Sequence, residues 1–135
     1  MKVVFDTNIL ISGIGWAGRE RKLLLLALSE EYELVMSDKI LKELVGVLQR
    51  KKFSHLDKKK IFRFIDIFTR VCTVVVPEKH HTVIKEDPDD DMVLDCALDV
   101  KAEYIVTGDH HLLDLKEFKG VRIVDSATFE KILEK

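Results

Sequence analysis

The chain has 135 residues and a net charge of −2, with 47% hydrophobic and 34% charged residues. These values predict a single globular domain over residues 1–135 and exclude a disordered chain, and the net charge provides no overall field to attract a polyanion. The longest apolar stretch, residues 23–28, is far too short to span a membrane. We expect no signal segment, because Met1 and Lys2 lead directly into a predicted strand. We therefore expect a protein that acts in the cytoplasm, with no membrane partner.

Strand-like and helix-like segments alternate along the chain. Segments rich in Val and Ile predict strands at residues 2–6, 33–36, 72–76, 104–107 and 121–124. Apolar residues at helical spacing predict helices at residues 19–31, 38–50, 57–70, 88–100 and 126–134, and the glycine-rich stretch 12–18 is predicted to be a loop. The alternation predicts an α/β fold, in which a parallel sheet lies between helices and right-handed crossovers join its strands.

The cysteine and amide content indicates the environment of the protein. Cys72 and Cys96 lack CxxC spacing, so we expect reduced thiols in the core of a cytoplasmic protein. The chain contains one Asn and one Gln beside many Lys, Glu, Val and Ile residues, a thermophile-like bias typical of heat-adapted proteins. The single asparagine, Asn8, lies in an acidic segment.

Two predicted strands lead directly into acidic and hydroxyl residues. The first leads into Asp6, Thr7 and Asn8, and the fourth leads into Thr107 and Asp109. The carboxyl ends of parallel strands line one crevice, which is where ligands bind in α/β proteins. Carboxylates gathered there repel one another and tend to protonate unless a cation lies among them, so the pattern predicts a site for a hard metal ion. Two simpler interpretations stay open: Asp6 as a helix N-cap, and Asp109 as part of a plain turn.

A further acid lies on the second predicted helix. Glu43 shares a flank with the apolar residues Ile40 and Val47, so its carboxylate borders the packed face of the helix. A carboxylate in that position needs a partner, which a metal ion could be. The alternative is an edge glutamate that reaches water or pairs with a lysine.

The acidic segment 87–91 divides by position. Asp87 is placed to cap the helix that follows, and Asp90 in the first turn suits the helix dipole. Asp91 lies beside the apolar stripe of the same helix and is the strongest candidate ligand of the segment. Asp95 follows one turn later, and it either takes part in the chemistry or pairs on the helix face.

A basic segment could contact nucleic acid, although a solvated helix surface with phenylalanines facing the core is the favoured explanation. Trp16 could stack on a base, pack against the protein, or contact a second copy. The basic residues are Arg50, Lys51, Lys52, Lys58, Lys59, Lys60 and Arg63, interleaved with Phe53, Phe62 and Phe64.

The ordered set of acidic motifs resembles the PIN-domain family. The motifs are D-T-N after the first strand, a glutamate in the second predicted helix, D-P-D-D-D-x-x-L-x-x-A, and I-V-T-G-D-x-x-L-L. They span essentially the whole chain, and the similarity is strongest to the prokaryotic branch of toxin components of toxin–antitoxin pairs. The resemblance implies a PIN-like, three-layer α/β/α sandwich with a five-stranded parallel sheet of order 3-2-1-4-5.

The resemblance also implies an activity, the cleavage of RNA with the help of one or two Mg²⁺ or Mn²⁺ ions. Many relatives have an acid two residues after Asp109, where this chain has His111. That difference leaves the fifth carboxylate and the affinity for a second ion open. The family's acidic set falls on Asp6, Glu43, Asp91 and Asp109, with Thr7, Asn8 and Thr107 as polar support and Asp87, Asp90 and His111 as further candidates.

The remaining expectations concern the two histidines after Asp109 and the binding partners of the protein. His110 and His111 lie near enough to contact substrate, but adjacent histidines are expected to diverge, so they are weak candidates for a shared metal. The implied partners are an RNA substrate and an antitoxin protein, and the apolar stretch 23–28 offers a surface for a homodimer.

Two other classes of protein stay open. A catalytically idle PIN-like interaction module would keep the fold without turning over RNA. A phosphoaspartate enzyme or receiver domain also places acids at strand ends, but a phosphatase of that class needs an acid where Asn8 stands.

Overall fold

The computed structural model describes residues 1–77 and 88–135, with the side chains of residues 88–91 excepted. The strands of its central sheet are β1 Lys2–Phe5, β2 Glu33–Ser37, β3 Thr73–Val75, β4 Tyr104–Val106, β5 Glu117–Phe118 and β6 Val121–Val124. The helices are α1 Thr7–Gly15, α2 Arg19–Leu28, α3 Asp38–Leu48, α4 Lys58–Val71, α5 Pro88–Val100, α6 His110–Leu113 and α7 Ser126–Glu134, and a 3₁₀ turn covers Lys51–Phe53.

The sheet confirms the predicted α/β class and corrects the predicted strand count. Its order is β3-β2-β1-β4-β6-β5. The five strands expected from the sequence are parallel neighbours in the expected order. The short strand β5 adds an antiparallel edge beside β6. The prediction of five wholly parallel strands is therefore wrong, and the sheet is six-stranded and mixed.

A tight turn explains the additional strand. Phe118 pairs with Val121, so only Lys119 and Gly120 form the connection, and their φ angles are both positive, at 48° and 90°. Two-residue hairpin loops favour positive φ at both positions because that backbone twist matches the twist of the strands. The alternation pattern could not reveal β5 because the strand has only two residues.

Helices cover both faces of the centre of the sheet. Val3, Val4 and Phe5 of β1 are each at most 1% exposed, although successive residues of a strand point to opposite faces. Neither face of β1 therefore meets solvent. α5 packs against β1, β2 and β4, while α3 packs against β2 and α4 against β3. This arrangement agrees with the expected layers of helix, sheet and helix.

The predicted loop 12–18 is largely helical, because α1 continues through Gly15. Glycine at position 13 allows α1 and α2 to approach closely: a Cβ on Gly13 would overlap the side chain of Leu24 and lie 3.0 Å from the carbonyl oxygen of Glu20. Arg21 then donates to the carbonyl oxygens of Gly13 and Ile14, at 3.0 and 2.8 Å. Glycine here serves helix packing, and the guanidinium satisfies carbonyl groups at the end of α1.

The apolar stretch 23–28 is mostly core and not free surface. Leu23 and Leu24 are fully buried within the chain, and only Leu25 is substantially exposed. Of the apolar side chains expected to form a dimer surface on this stretch, only that of Leu25 is largely accessible. Within the described part of the chain, no helix has the length and apolar character that crossing a membrane would require.

Candidate metal centre

The carboxyl ends of β1 and β4 lie side by side and carry buried polar residues. Phe5 pairs with Val106, and the backbone N–H of Asp6 donates to the carbonyl oxygen of Val106 at 2.9 Å. Asp6 and Thr107, the next residues of the two strands, are therefore neighbours. They are 6% and 0% exposed. A carboxylate buried this deeply at the ligand-binding edge of the sheet requires polar partners.

The hydroxyl group of Thr107 links the two acids that follow the strands. Its Oγ1 donates to Asp6 Oδ2 at 2.7 Å and accepts from the backbone N–H of Asp109 at 3.0 Å. A hydroxyl group has one proton, and the amide of Asp109 can only donate, so that proton points to Asp6. The Oδ2 atom of Asp6 is therefore the acceptor of this hydrogen bond. These three residues form one hydrogen-bonded group, the Asp6–Thr107–Asp109 cluster.

The two simpler interpretations of these acids have different outcomes. Asp6 precedes α1, yet its side chain makes no capping hydrogen bond. Asp109 does cap a helix, because its Oδ1 accepts from the backbone N–H of His111 at 2.8 Å at the start of α6. Capping therefore accounts for one carboxylate oxygen of Asp109 and for neither of Asp6.

The rest of the D-T-N motif occupies the first turn of α1. Thr7 is buried and Asn8 is exposed. The first turn of a helix contains backbone N–H groups without intrahelical partners, so polar side chains are favoured there. Both residues follow Asp6 directly, and their function as polar support stays a prediction.

Glu43 lies in the middle of α3 and is half-buried. α3 begins directly after β2, at the same edge of the sheet as Asp6, and it packs against α1. The expected position at the border of the packed face is confirmed, since Ile40 and Val47 on the same flank are buried. Coordination of a metal by Glu43 stays a prediction.

The acidic segment of residues 87–91 is only partly described. α5 begins at Pro88, as the sequence predicted, so Asp90 and Asp91 belong to its first turns. Their side chains, like the whole of Asp87, lie outside the described residues. Asp95 is 7% exposed and lines a cavity of about 150 Å³ together with Ser37 and Asp38, where β2 ends and α3 begins.

The two histidines after Asp109 do not diverge as expected. The ring centroids of His110 and His111 are 4.2 Å apart, with an angle of 35° between the ring planes. One potential ligand atom from each of Asp109, His110 and His111 lies within 4.8 Å of the others. The expectation of divergence assumed regular helical geometry, but these residues start a helix of only four residues. His110 was only a weak candidate from the sequence, and its role in holding a metal stays a prediction.

This donor set suits a divalent cation. Carboxylate oxygens are the ligands that Mg²⁺ and Mn²⁺ prefer, and imidazole suits Mn²⁺ and other transition metals better than Mg²⁺. The Asp6–Thr107–Asp109 cluster places such groups at the edge of the sheet where α/β proteins bind ligands. Cysteine is not part of it: Cys72 and Cys96 are free and buried, and burial raises the pKa of each thiol to about 12.

The α/β sheet with acidic and hydroxyl residues at the ends of β1 and β4 defines a class of protein, the PIN domain. A family model of the PIN domain matches residues 2–111, and the chain belongs to that family. PIN domains are generally nucleases and typically bind divalent metal ions. The resemblance drawn from the sequence motifs is thereby confirmed.

A solved structure with a similar fold is that of VapBC2 from Rickettsia felis, bound to a DNA fragment from its promoter. The two chains share 17% identity, the match covers 93% of this chain and 98% of that one, and the TM-score is 0.63. Identity this low shows the shared fold alone. No curated protein matches the chain significantly.

Proposed function

We propose that this protein is a Mg²⁺- or Mn²⁺-dependent ribonuclease that hydrolyses phosphodiester bonds of RNA. The observation that carries the proposal is the hydrogen-bonded Asp6–Thr107–Asp109 cluster at the carboxyl ends of neighbouring strands. Glu43 of α3 and Asp91 of α5 would complete the acidic set. The family supports the nuclease class, and the acidic donors support the type of ion.

The charge of the acidic set explains why it needs a cation. Two or more carboxylates at one edge of the sheet repel each other, and a polyanionic substrate would add to that repulsion. A divalent ion held there would offset the phosphate charge and lower the pKa of the attacking water. Asp6 would bind the ion with a carboxylate whose orientation Thr107 holds, and Asp109 would bind it with the oxygen that does not cap α6.

The chain offers no competing thiol nucleophile at this edge. A cysteine attacks as the thiolate, and a thiol with a pKa of about 12 stays protonated at neutral pH. Two buried free cysteines also support a cytoplasmic location, where thiols stay reduced.

We further propose that the protein is the toxin of a toxin–antitoxin pair and that an antitoxin protein binds it. The support is the shared fold with a chain of the VapBC2 assembly, over almost the full length of both chains. A binding partner of this kind would be encoded beside the gene for this protein, and co-expression of the two should yield a complex that separates as one species.

Cleavage of a single-stranded RNA, with and without Mn²⁺ or Mg²⁺, tests the enzymatic proposal. Wild type should cleave only with metal, and Asp6→Asn should reduce the rate by orders of magnitude because it removes a ligand charge while keeping the shape. Asp66→Asn is the matched control, because Asp66 is exposed on α4 and pairs with Arg70 one turn away. Wild type that binds Mn²⁺ and RNA without cleaving would identify the idle interaction module instead.

A further inference from the structure

The only tryptophan of the chain is exposed and held by aromatic neighbours. Trp16 follows α1 directly and is 46% exposed. Its ring centroid lies 5.9 Å from that of Phe53, in an edge-to-face arrangement, and 6.3 Å from that of His55. Phe53 itself is buried. The indole therefore presents a large flat ring to solvent, and tryptophan rings of this kind are enriched at binding surfaces.

Several contacts fix the position of Trp16. Its backbone N–H donates to the carbonyl oxygen of Ser12 at 3.1 Å. Arg21 binds the two carbonyl groups that precede the end of α1. A Cβ at Gly15 would lie 3.4 Å from Leu56, so the end of α1 packs closely on the segment that carries Phe53. The indole ring is therefore presented on an anchored helix end.

The segment beside Trp16 is strongly basic on a protein of net charge −2. Residues 50–60 contain one acid, Asp57, which caps α4. The ion pairs among the described residues use Arg19, Lys22 and Arg70, and none of the cations of this segment. The Nζ of Lys52 lies 5.2 Å from the ring centre of Phe53. The exposed cations of the segment are Arg50, Lys51, Lys52, Lys58, Lys59 and Lys60.

We propose that Trp16 and its basic surroundings form a subsite for single-stranded RNA, in which the indole stacks on a base and the cations contact phosphates. This inference rests on the proposed ribonuclease function. Aromatic side chains stack on unpaired bases whatever their identity, and Lys and Arg bind the backbone that joins them. Trp16 and His55 supply the exposed aromatic surface, buried Phe53 supports the indole, and the segment 50–60 supplies the charge.

The subsite lies within reach of the acidic cluster along the same strand of RNA. α1 begins directly after Asp6 and ends directly before Trp16, and its nine residues extend about 14 Å at 1.5 Å per residue. A base stacked on Trp16 would thus lie a few nucleotides from the phosphate at the metal centre. A protein partner is disfavoured because the exposed residues of the adjacent segment 50–60 are mostly cations, and charged residues are depleted at the core of protein interfaces.

The fluorescence of the single tryptophan tests the inference without turnover. Wild type is titrated in a metal chelator with a single-stranded RNA oligonucleotide and with a duplex of the same sequence. We expect saturable quenching by the single strand and little by the duplex. No quenching by the single strand, or equal quenching by both, would overturn the inference. A change of emission with protein concentration alone would also overturn it, because a second copy would then cover Trp16.

Variants separate stacking from folding and from the nuclease proposal. Trp16→Ala should weaken single-strand binding, measured by anisotropy of labelled RNA, about 5- to 150-fold, the equivalent of about 1–3 kcal/mol for one stacked base. Trp16→Phe should restore part of the affinity. Leu25→Ala, which truncates another exposed apolar residue, should leave the affinity unchanged, and thermal melts verify that all variants fold.

Cleavage kinetics distinguish the two proposals. Trp16→Ala should raise KM with kcat nearly unchanged, since the indole binds RNA away from the reacting phosphate. RNA cleavage by wild type with unchanged KM in Trp16→Ala would overturn the stacking subsite and leave the ribonuclease intact. Quenching and tight single-strand binding without metal-dependent cleavage would overturn the ribonuclease and leave the stacking subsite intact.

Discussion

Thr107 is the residue on which the geometry of the candidate metal centre depends most directly. Its hydroxyl group serves Asp6 and Asp109 at once, and its side chain is fully buried. Thr107 and Asp6 are 101 positions apart in the sequence. A single buried hydroxyl group therefore connects two acids from distant parts of the chain and fixes their relative position.

Replacing Thr107 with valine keeps the shape of the side chain and removes that hydroxyl group. We expect the free energy of unfolding to fall by about 1–3 kcal/mol, because a hydrogen bond to a buried carboxylate is lost. RNA cleavage should fall as well, since the orientation of Asp6 is no longer held. Urea unfolding and a cleavage assay measure the two effects.

Thr107→Ser is the control for the valine variant, because it keeps the hydroxyl group. It should retain most of the cleavage activity and lose stability only through the missing methyl group, by about 1 kcal/mol. Equal activity of the valine and serine variants would show that the hydroxyl group has no part in the site.

At the scale of secondary-structure elements, the contact between α1 and α2 holds α1, which begins directly after Asp6 and ends directly before Trp16. Gly13 makes this contact close, and Arg21 of α2 binds the end of α1. Packing in protein interiors leaves little space for an added methyl group, so a larger residue at position 13 would force Leu24 or α2 to shift.

A pair of glycine-to-alanine substitutions tests this account of the helix contact. Gly13→Ala should destabilise the protein by about 1–3 kcal/mol, because its methyl group overlaps Leu24. Gly46→Ala, in the interior of α3 with open space around it, should instead stabilise by up to about 1 kcal/mol through helix propensity. Chemical unfolding of both variants measures the difference, and similar effects at the two positions would contradict the close packing of α1 on α2.

At the scale of the whole molecule, the stability should depend on divalent metal. Wild type should gain about 2.7 kcal/mol when Mn²⁺ is present at one hundred times its dissociation constant, by mass action. Asp6→Asn should gain much less and should be no less stable than wild type without metal, since it relieves repulsion among the acids. Asp66→Asn should respond to Mn²⁺ as wild type does.

Thermal melts with Mn²⁺ and with a chelator measure these differences. Two results would contradict a metal centre at Asp6. One is a melting temperature of wild type that does not change with Mn²⁺, and the other is an equal increase in the melting temperatures of Asp6→Asn and wild type. The same melts without metal test the heat adaptation predicted from the composition, since a low Tm would contradict it.

Much of the architecture follows from the sequence alone. The alternation of strand-like and helix-like segments predicted the α/β class, and five of the helices match the expected positions closely. The order of the five parallel strands was implied by the family resemblance and is also observed. Asp6 and Asp109 could be recognised because a strand end is a local feature: an apolar run stops and a polar residue follows. Local periodicity encodes which side of an element is buried, so Glu43 at the border of α3 was also predictable.

Only the tertiary structure decided how residues from separate elements meet. The hydrogen bond from Thr107 to Asp6 depends on the pairing of β1 with β4, and the contact of Trp16 with Phe53 depends on the 3₁₀ turn packing at the end of α1. Three further features were not predicted from the sequence. They are the helical conformation of residues 12–15, the close approach of the rings of His110 and His111, and the strand β5. Each depends on a short element or on packing between distant segments, whereas sequence periodicity reports only the local environment of elements that are several turns or residues long.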